Sequence, residues 1–229
     1  MWVKICANTN LEDAAMAAEL GADAVGFIFA PSKRQVTVAQ VAAITPHLPS
    51  GVERVGVFAT DDVEEIARSV REAGLTAVQM HGGFNLELAG RLAARTGPDI
   101  SIIETIHWNV GDGPWSRDII IQQLSDAVVS PVAYRVLMDS KIGGVSGGTG
   151  VSFDWSEART ILDTQPVLRI IVAGGLCPEN VSEAIRNLRP WGVDVASGVE
   201  SSPGRKDAAR VAAFIANARR ADTTLSRPA

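Results

Sequence analysis

Cys6 closes the apolar run "WVKIC" and is followed at once by "ANTNLEDA", a polar stretch that reads as a helix start. A thiol works as a base only in its ionised form, and at an ordinary pKa of about 8.5 little of it is ionised at pH 7. Lys4 stands two residues earlier, on the same face of any strand, where its charge favours the thiolate. Asp139 ends a second apolar run, "YRVLMD", and shares a face with Arg135 and Leu137. A thiol and a carboxyl meeting across a cleft supply a base and an acid for moving a proton within a substrate. Read alone, Cys6 is as well explained as a small buried apolar residue, and Asp139 as a cap or ion-pair partner of a loop.

Two glycine turns point to a different chemistry. "AGGLCPEN" carries Gly174 and Gly175, and "ASGVESSPG" carries Ser197 and Gly198. Glycines let backbone N–H groups approach an anion closely, and a helical turn starting near Ser197 would aim further amides at it. One such pair is matched by a plain tight turn; two pairs after neighbouring strands point to a phosphate. His81 and Gln79 in "VQMHG" and Arg34 in "APSKR" are further candidates, whereas Lys33 reads as a solvated charge. Trp155 in "FDW" reads as packing and Cys177 as incidental.

These residues are spaced along alternating apolar runs and amphipathic segments. Strands are expected at 2–6, 24–29, 54–58, 77–80, 100–106, 134–139, 169–173 and 193–197. Between them, Asn10 caps a helix that Gly21 stops, Asp61 and Glu64 have capping-box spacing, Pro178 suits a first helical turn, and Asp207 opens the last helix. Short, largely apolar strands alternating with helices indicate a covered parallel sheet. Eight such units in 229 residues predict a single-domain (β/α)8 TIM barrel over residues 1–229, with a tail fraying from about residue 221. Chemistry then belongs at the C-terminal ends of the strands, where every candidate above falls. No G-x-G-x-x-G follows the first strand, against dinucleotide binding.

Composition narrows the partners. A net charge of −5 argues against nucleic acid or an anionic membrane surface, and the sequence lacks a membrane-length apolar run or a leader pattern. A cytoplasmic protein is expected. Two distant cysteines make neither a disulfide framework nor a metal signature, so no metal site is expected.

The chain resembles the phosphoribosylanthranilate isomerases from its first strand to its last helix. The resemblance is carried by "KICANT", "GADAVGFIFAPSKR", "RVGVF", "VQMHG", "LMDSK", "GGTGVSFDW", "VAGGLCPENV" and "GVDVASGVESSPGRKD", in that order. It implies an Amadori rearrangement of N-(5-phosphoribosyl)anthranilate to 1-(2-carboxyphenylamino)-1-deoxyribulose 5-phosphate, in tryptophan biosynthesis, with no cofactor. It further implies Asp139 as general acid, Cys6 as general base and Arg34 at the anthranilate carboxylate. Gly174, Gly175, Ser197 and Gly198 would hold the phosphate, with His81 and Lys4 near the substrate. The partner is thus a small phosphorylated sugar, and the protein a monomer or homodimer. A related histidine-pathway aminoaldose isomerase, or a dual-substrate barrel, would have a carboxylate in place of Cys6 and a second phosphate site. A catalytically silent sugar-phosphate binder would have no need of both Cys6 and Asp139.

Three positions depart from the family's pattern. Ala7 stands where glycine is usual, Glu104 where the fifth strand often has a basic residue, and Ala30 where a larger residue is common. The stretch "HWNVGDGPWSRD" is expected as a long loop after that strand, able to cover the mouth or support self-association.

Overall fold

The computed structural model describes residues 1–108, 114–132, 135–140 and 155–225. Eight parallel strands close into one barrel in sequence order: β1 (Trp2–Ile5), β2 (Ala24–Ile28), β3 (Glu53–Phe58), β4 (Ala77–Met80), β5 (Ser101–Trp108), β6 (Arg135–Ser140), β7 (Arg169–Ala173) and β8 (Gly192–Val195). Helices α1 (Leu11–Glu19), α2 (Val38–Ala42), α3 (Val63–Glu72), α4 (Leu86–Thr96), α5 (Pro114–Val129), α6 (Trp155–Leu162), α7 (Val181–Leu188) and α8 (Ala208–Leu225) follow the strands in turn. After β8 come a 3₁₀ turn (Ser197–Val199) and a small antiparallel pair, β9 (Glu200–Ser202) and β10 (Arg205–Lys206), ahead of α8.

The two-residue period of a strand sorts the barrel interior into levels. Trp2, Ala24, Val55, Ala77, Ile103, Leu137 and Ile171 fill the lower interior as one apolar cluster. One step up lie Lys4, Gly26, Gln79 and Thr105, with Asp194 of β8 level with Lys4, and Cys6, His81, His107 and Asp139 reach the rim above them. Outward residues such as Ile5, Phe27, Val78, Ile106, Met138 and Val172 pack under the helices in a second, larger cluster. Each helix adds its own apolar face: Ile66, Ala67 and Val70 from α3, and Val181, Ala184, Ile185 and Leu188 from α7. The last helix ties off the ring, since Arg219 and the backbone of Val3 both bond Asp23, each at 2.7 Å.

Several local expectations need correction. α3 is capped by Asp62, whose carboxylate accepts from the amides of Glu64 and Glu65; Asp61 lies one residue too early to do so, and no capping box forms. Pro178 sits in a turn ahead of α7, which starts at Val181 with Asn180 as its cap residue. β5 runs on to Trp108 and α5 begins at Pro114, so "HWNVGDGPWSRD" is partly strand and helix, with residues 109–113 outside the described ones. α8 continues through Leu225 with Ala221 buried, past the point where fraying was expected. Residues 226–229, 133–134 and 141–154 and the Trp155 side chain also lie outside the described residues. Asn10 caps α1 as expected, accepting from the Asp13 amide, and Gly21 follows its end at a φ of +96°.

Ala7 is held at a φ of +63° and fully buried. That backbone region costs a non-glycine residue about 1 kcal/mol, while burying the methyl group returns a similar amount. The two nearly cancel, and the first turn tolerates alanine where glycine is usual.

Two consequences for stability follow. Glu104 faces outward from β5 under the start of α4 with no exposed surface; one oxygen accepts from the Asn85 amide at 3.1 Å and the other finds no partner. Burial pushes its carboxyl up to about 7 from 4.5, so the folded state binds more protons than the unfolded chain between those values and loses stability as pH rises through them. Urea unfolding between pH 5 and pH 8 will show a fall about 2–3 kcal/mol larger in the wild type than in Glu104→Gln. Equal falls in both proteins would remove Glu104 as the cause. Gly26 is constrained differently: a Cβ there would lie 2.7 Å from Cys6 Sγ, 2.9 Å from Lys4 Cε and 3.2 Å from Cys6 Cα. Gly26→Ala is therefore expected to destabilise by about 1–3 kcal/mol through overpacking, measured by the same unfolding method.

Candidate active site

A cavity of about 340 Å³ opens at the C-terminal end of the barrel. Cys6, Gln79, His81, Leu137, Asp139 and Asp194 line its walls, with Ile28, Ala30, Pro31 and Ser32 from the region after β2. Gly174, Gly175, Ser197 and Gly198 line it after β7 and β8. A wider groove of about 640 Å³ lies outside the barrel between α3 and α4, edged by Asp61, Asp62, Glu64, Arg91 and Arg95. It brings together no base and nucleophile, and Glu64 and Arg95 are already paired at 2.7 Å.

At the foot of the barrel cavity is a buried charge cluster. Lys4 and Asp194 are register partners on β1 and β8, and Lys4 Nζ lies 3.2 Å from Asp194 Oδ1. The same ammonium donates to Gln79 Oε1 at 2.7 Å. Burial alone would lower the Lys4 pKa, but Asp194 and Cys6 outweigh it and the net direction is upward, so Lys4 is charged. Burial likewise pushes the Asp194 carboxyl up, with Lys4 opposing it. Cys6 sits directly above with only 4% of its surface exposed. Burial pushes its thiol up, while Lys4 and Lys206 pull it down. Lys4 acts in the direction expected from the sequence, but desolvation wins, and the resting group is the thiol.

Around Asp139 the rim is built from two imidazoles. His81 Nε2 lies 3.9 Å and His107 Nδ1 3.6 Å from the same carboxylate oxygen, Oδ2, and the two rings meet edge to face at 4.9 Å. Burial lowers the His81 pKa, with Asp139 opposing, so His81 is neutral near pH 7. Gln79 Oε1 is taken by Lys4, which leaves Gln79 Nε2 to face His81 Nδ1 at 3.4 Å.

Arg34 holds its place through Glu200 at the start of β9. Arg34 Nε and Nη2 donate to the two Glu200 oxygens at 2.7 and 2.6 Å, and Lys206 Nζ donates to Glu200 Oε1 at 3.2 Å. Arginine carries five N–H donors on two usable edges, so pairing one edge with Glu200 leaves the Nη1/Nη2 end available for a second carboxylate. The glycine turns take the conformations expected of them: Gly174 and Gly175 have φ of +94° and +63°. Gly198 is fixed by packing as well, since a Cβ there would lie 1.9 Å from the carbonyl oxygen of Leu176.

Seven of the nine candidate residues from the sequence line this cavity; Lys4 lies beneath it against Asp194, and Arg34 lies outside its lining, held by Glu200. Reading the sequence missed His107, Asp194, Glu200 and Lys206. Alternation would have found the first two: His107 continues the inward series Ile103, Thr105, and Asp194 is the only charged residue of β8. Glu200 and Lys206 belong to a hairpin whose pairing no local period reveals.

The family described as PRAI, N-(5'phosphoribosyl)anthranilate (PRA) isomerase, matches residues 3–217. The N-(5'-phosphoribosyl)anthranilate isomerase of Thermotoga neapolitana is 40% identical over 218 residues, covering 95% of this chain and 98% of the relative. The crystal structure of phosphoribosyl anthranilate isomerase from Thermotoga maritima superposes with a TM-score of 0.79 at 39% identity, over 96% of this chain and 99% of that one. A solved phosphoribosyl anthranilate isomerase in complex with reduced 1-(o-carboxyphenylamino)-1-deoxyribulose 5-phosphate gives a TM-score of 0.78 at 37% identity, with the same coverage. With a barrel matched along nearly its whole length, the chain belongs to the N-(5'-phosphoribosyl)anthranilate isomerase family.

Proposed function

We propose that this barrel isomerises N-(5'-phosphoribosyl)anthranilate to 1-(2-carboxyphenylamino)-1-deoxyribulose 5-phosphate, with Asp139 as acid and Cys6 as base. The observation that carries the reading is that one cavity is lined by the Cys6 thiol just past β1, the Asp139 carboxyl of β6 and the two glycine turns. A solved relative in complex with the reduced product supports the same substrate class.

The phosphate lies against the amides of Gly174, Gly175, Ser197 and Gly198, and the anthranilate carboxylate takes the free edge of Arg34. Asp139, as general acid, gives a proton to the ribose ring oxygen. The C1–O bond breaks and the nitrogen lone pair forms the C1=N bond of an iminium. That cation makes the C2 hydrogen acidic. Cys6 as thiolate removes it, the electron pair becomes the C1=C2 bond of an enolamine, and the iminium is neutralised. Loss of the C2 hydroxyl proton and gain of a proton at C1 give the ketone, so every proton taken is returned and no external oxidant or reductant is consumed. Lys4 steadies the negative sulfur, and His81 borders the reacting carbons. The reading includes a cytoplasmic location and a monomeric or homodimeric state. Among the described residues no helix is long and apolar enough to cross a membrane.

Loss of anthranilate-type fluorescence from freshly generated substrate is the test. The wild type will accelerate it over spontaneous decay, and Cys6→Ser and Asp139→Asn will each lose at least ~100-fold in turnover while still binding a product analogue. Turnover at the wild-type level in either variant would refute its assigned role. Because burial raises the Cys6 pKa, kcat/KM of the wild type will climb with pH beyond neutrality as the thiolate forms. A profile flat from pH 7 to about 9 would contradict a thiolate base.

A further inference from the structure

His107 is not used by the reaction above, yet its ring is held with care. Its Nε2 lies 3.0 Å from the carbonyl oxygen of His81, and a carbonyl only accepts, so the proton of the neutral ring is on Nε2. Nδ1 therefore presents its lone pair to Asp139 Oδ2 at 3.6 Å. An imidazole that donates one nitrogen to a backbone carbonyl and offers the other as a lone pair is arranged as metal-bound histidines are. His81 brings a second nitrogen, Nε2, at 3.9 Å from the same oxygen, and the ligand atoms of the three residues all lie within 4.8 Å of one another. Tetrahedral bonds of about 2.0–2.2 Å to nitrogen and oxygen separate ligand atoms by about 3.3–3.5 Å, so rotations of exposed side chains close the gap. His81, His107 and Asp139 keep 38%, 40% and 33% of their side-chain surfaces exposed, which leaves His81 and Asp139 room to turn toward the held His107 ring and leaves water a fourth position.

We propose that His81, His107 and Asp139 form a divalent-cation site across the barrel mouth, of zinc type, whose occupation opposes the isomerase reaction. Two imidazoles and a carboxylate suit zinc, which has no geometric demand beyond a compact shell. Ligation through His81 Nε2 moves its ring proton to Nδ1 and gives up the long 3.4 Å contact with Gln79, a small cost against a metal bond. The bound cation takes Asp139 out of service as a proton donor. Binding rests on the geometry alone; inhibition rests also on the role assigned to Asp139 above.

Calorimetry with zinc chloride and no substrate tests the site apart from the enzymatic reading. One zinc per chain is expected, with affinity at least ~10-fold weaker in His107→Phe, which keeps the ring but removes the nitrogens, and in Asp139→Asn. Circular dichroism and thermal melting establish that both variants are folded, and His107→Asn replaces His107→Phe if the latter is not. Cobalt as a spectroscopic substitute is expected to show a spectrum of nitrogen and oxygen donors. No saturable zinc binding, equal binding by wild type and both variants, or a thiolate charge-transfer band placing cobalt on Cys6 or Cys177 would each overturn the site. In the fluorescence assay, zinc is expected to slow the wild type reversibly on adding EDTA and to lose that effect in the folded His107 variant. Zinc that binds as predicted without slowing turnover would overturn the inhibitory part alone.

Discussion

The pair of Lys4 and Asp194 is the constraint around which the upper barrel is arranged. Lys4 has no exposed surface and Asp194 keeps only 8%, and each is tolerable only with the other present, because an isolated ion in a protein interior costs several kcal/mol. Their 3.2 Å contact crosses from β1 to β8, the seam where the first and last barrel strands meet. Closure of the ring and neutralisation of the two charges are thus one event. The room for it comes from the neighbouring strand, where Gly26 offers no side chain at the place a Cβ would touch both Cys6 and Lys4. Cys6 inherits a fixed electrostatic setting from this arrangement: desolvation holds it as a thiol, and the ammonium beneath stabilises the sulfur when the proton leaves.

The other end of the barrel solves the same problem of buried charge without chemistry. Arg135 is the lowest inward residue of β6; its guanidinium lies 5.2 Å from the ring centroids of both Trp2 and Trp191 and pairs with Glu53 at 2.7 Å. Trp2 and Trp191 are themselves stacked, with centroids 5.4 Å apart. Charge there is enclosed by aromatic faces, in the way expected of the stability end of such a barrel, while charge at the top faces a cavity. The β6 strand therefore carries both kinds of site, Arg135 below and Asp139 above, with Leu137 insulating one from the other.

Alternation and helix signals were strong enough in this sequence to reveal all eight strands and the barrel, because short apolar runs bounded by caps and glycines leave little choice of element. That Cys6, His81 and Asp139 share one cavity was legible for the same reason: barrel topology brings all strand ends to one mouth. Hidden were quantities that depend on three-dimensional surroundings. Lys4 promised a lowered Cys6 pKa, but the sequence held no measure of how completely both would be desolvated. Glu104 looked like a simple change of charge; only its place under α4 makes it a carboxyl titrating near neutrality. His107 was lost because β5 continues two residues beyond the expected end, and those two residues decide whether a histidine lies in a loop or points at Asp139.

The Ser197–Glu200 segment joins two functions that the sequence shows only as neighbours. Ser197 and Gly198 line the cavity in the turn proposed for the phosphate, and Glu200, two residues on, grips Arg34 with both oxygens. Lys206, the hairpin partner of Glu200, bonds Glu200 and also the carbonyl of Ala196 at 3.1 Å, just ahead of the turn. The stretch from Ala196 to Glu200 is thereby braced at both ends by one buried ammonium. On the proposed assignment, a ligand with a phosphate at one end and a carboxylate at the other would meet anchors whose separation is set by this single short segment. Discrimination by length between two anionic groups follows from that bracing: a molecule lacking either anion forfeits one anchor, and one of another span has to strain the segment to reach both. That is the selectivity a phosphosugar carrying an aromatic acid requires, and it comes from backbone connectivity as much as from any side chain in the cavity.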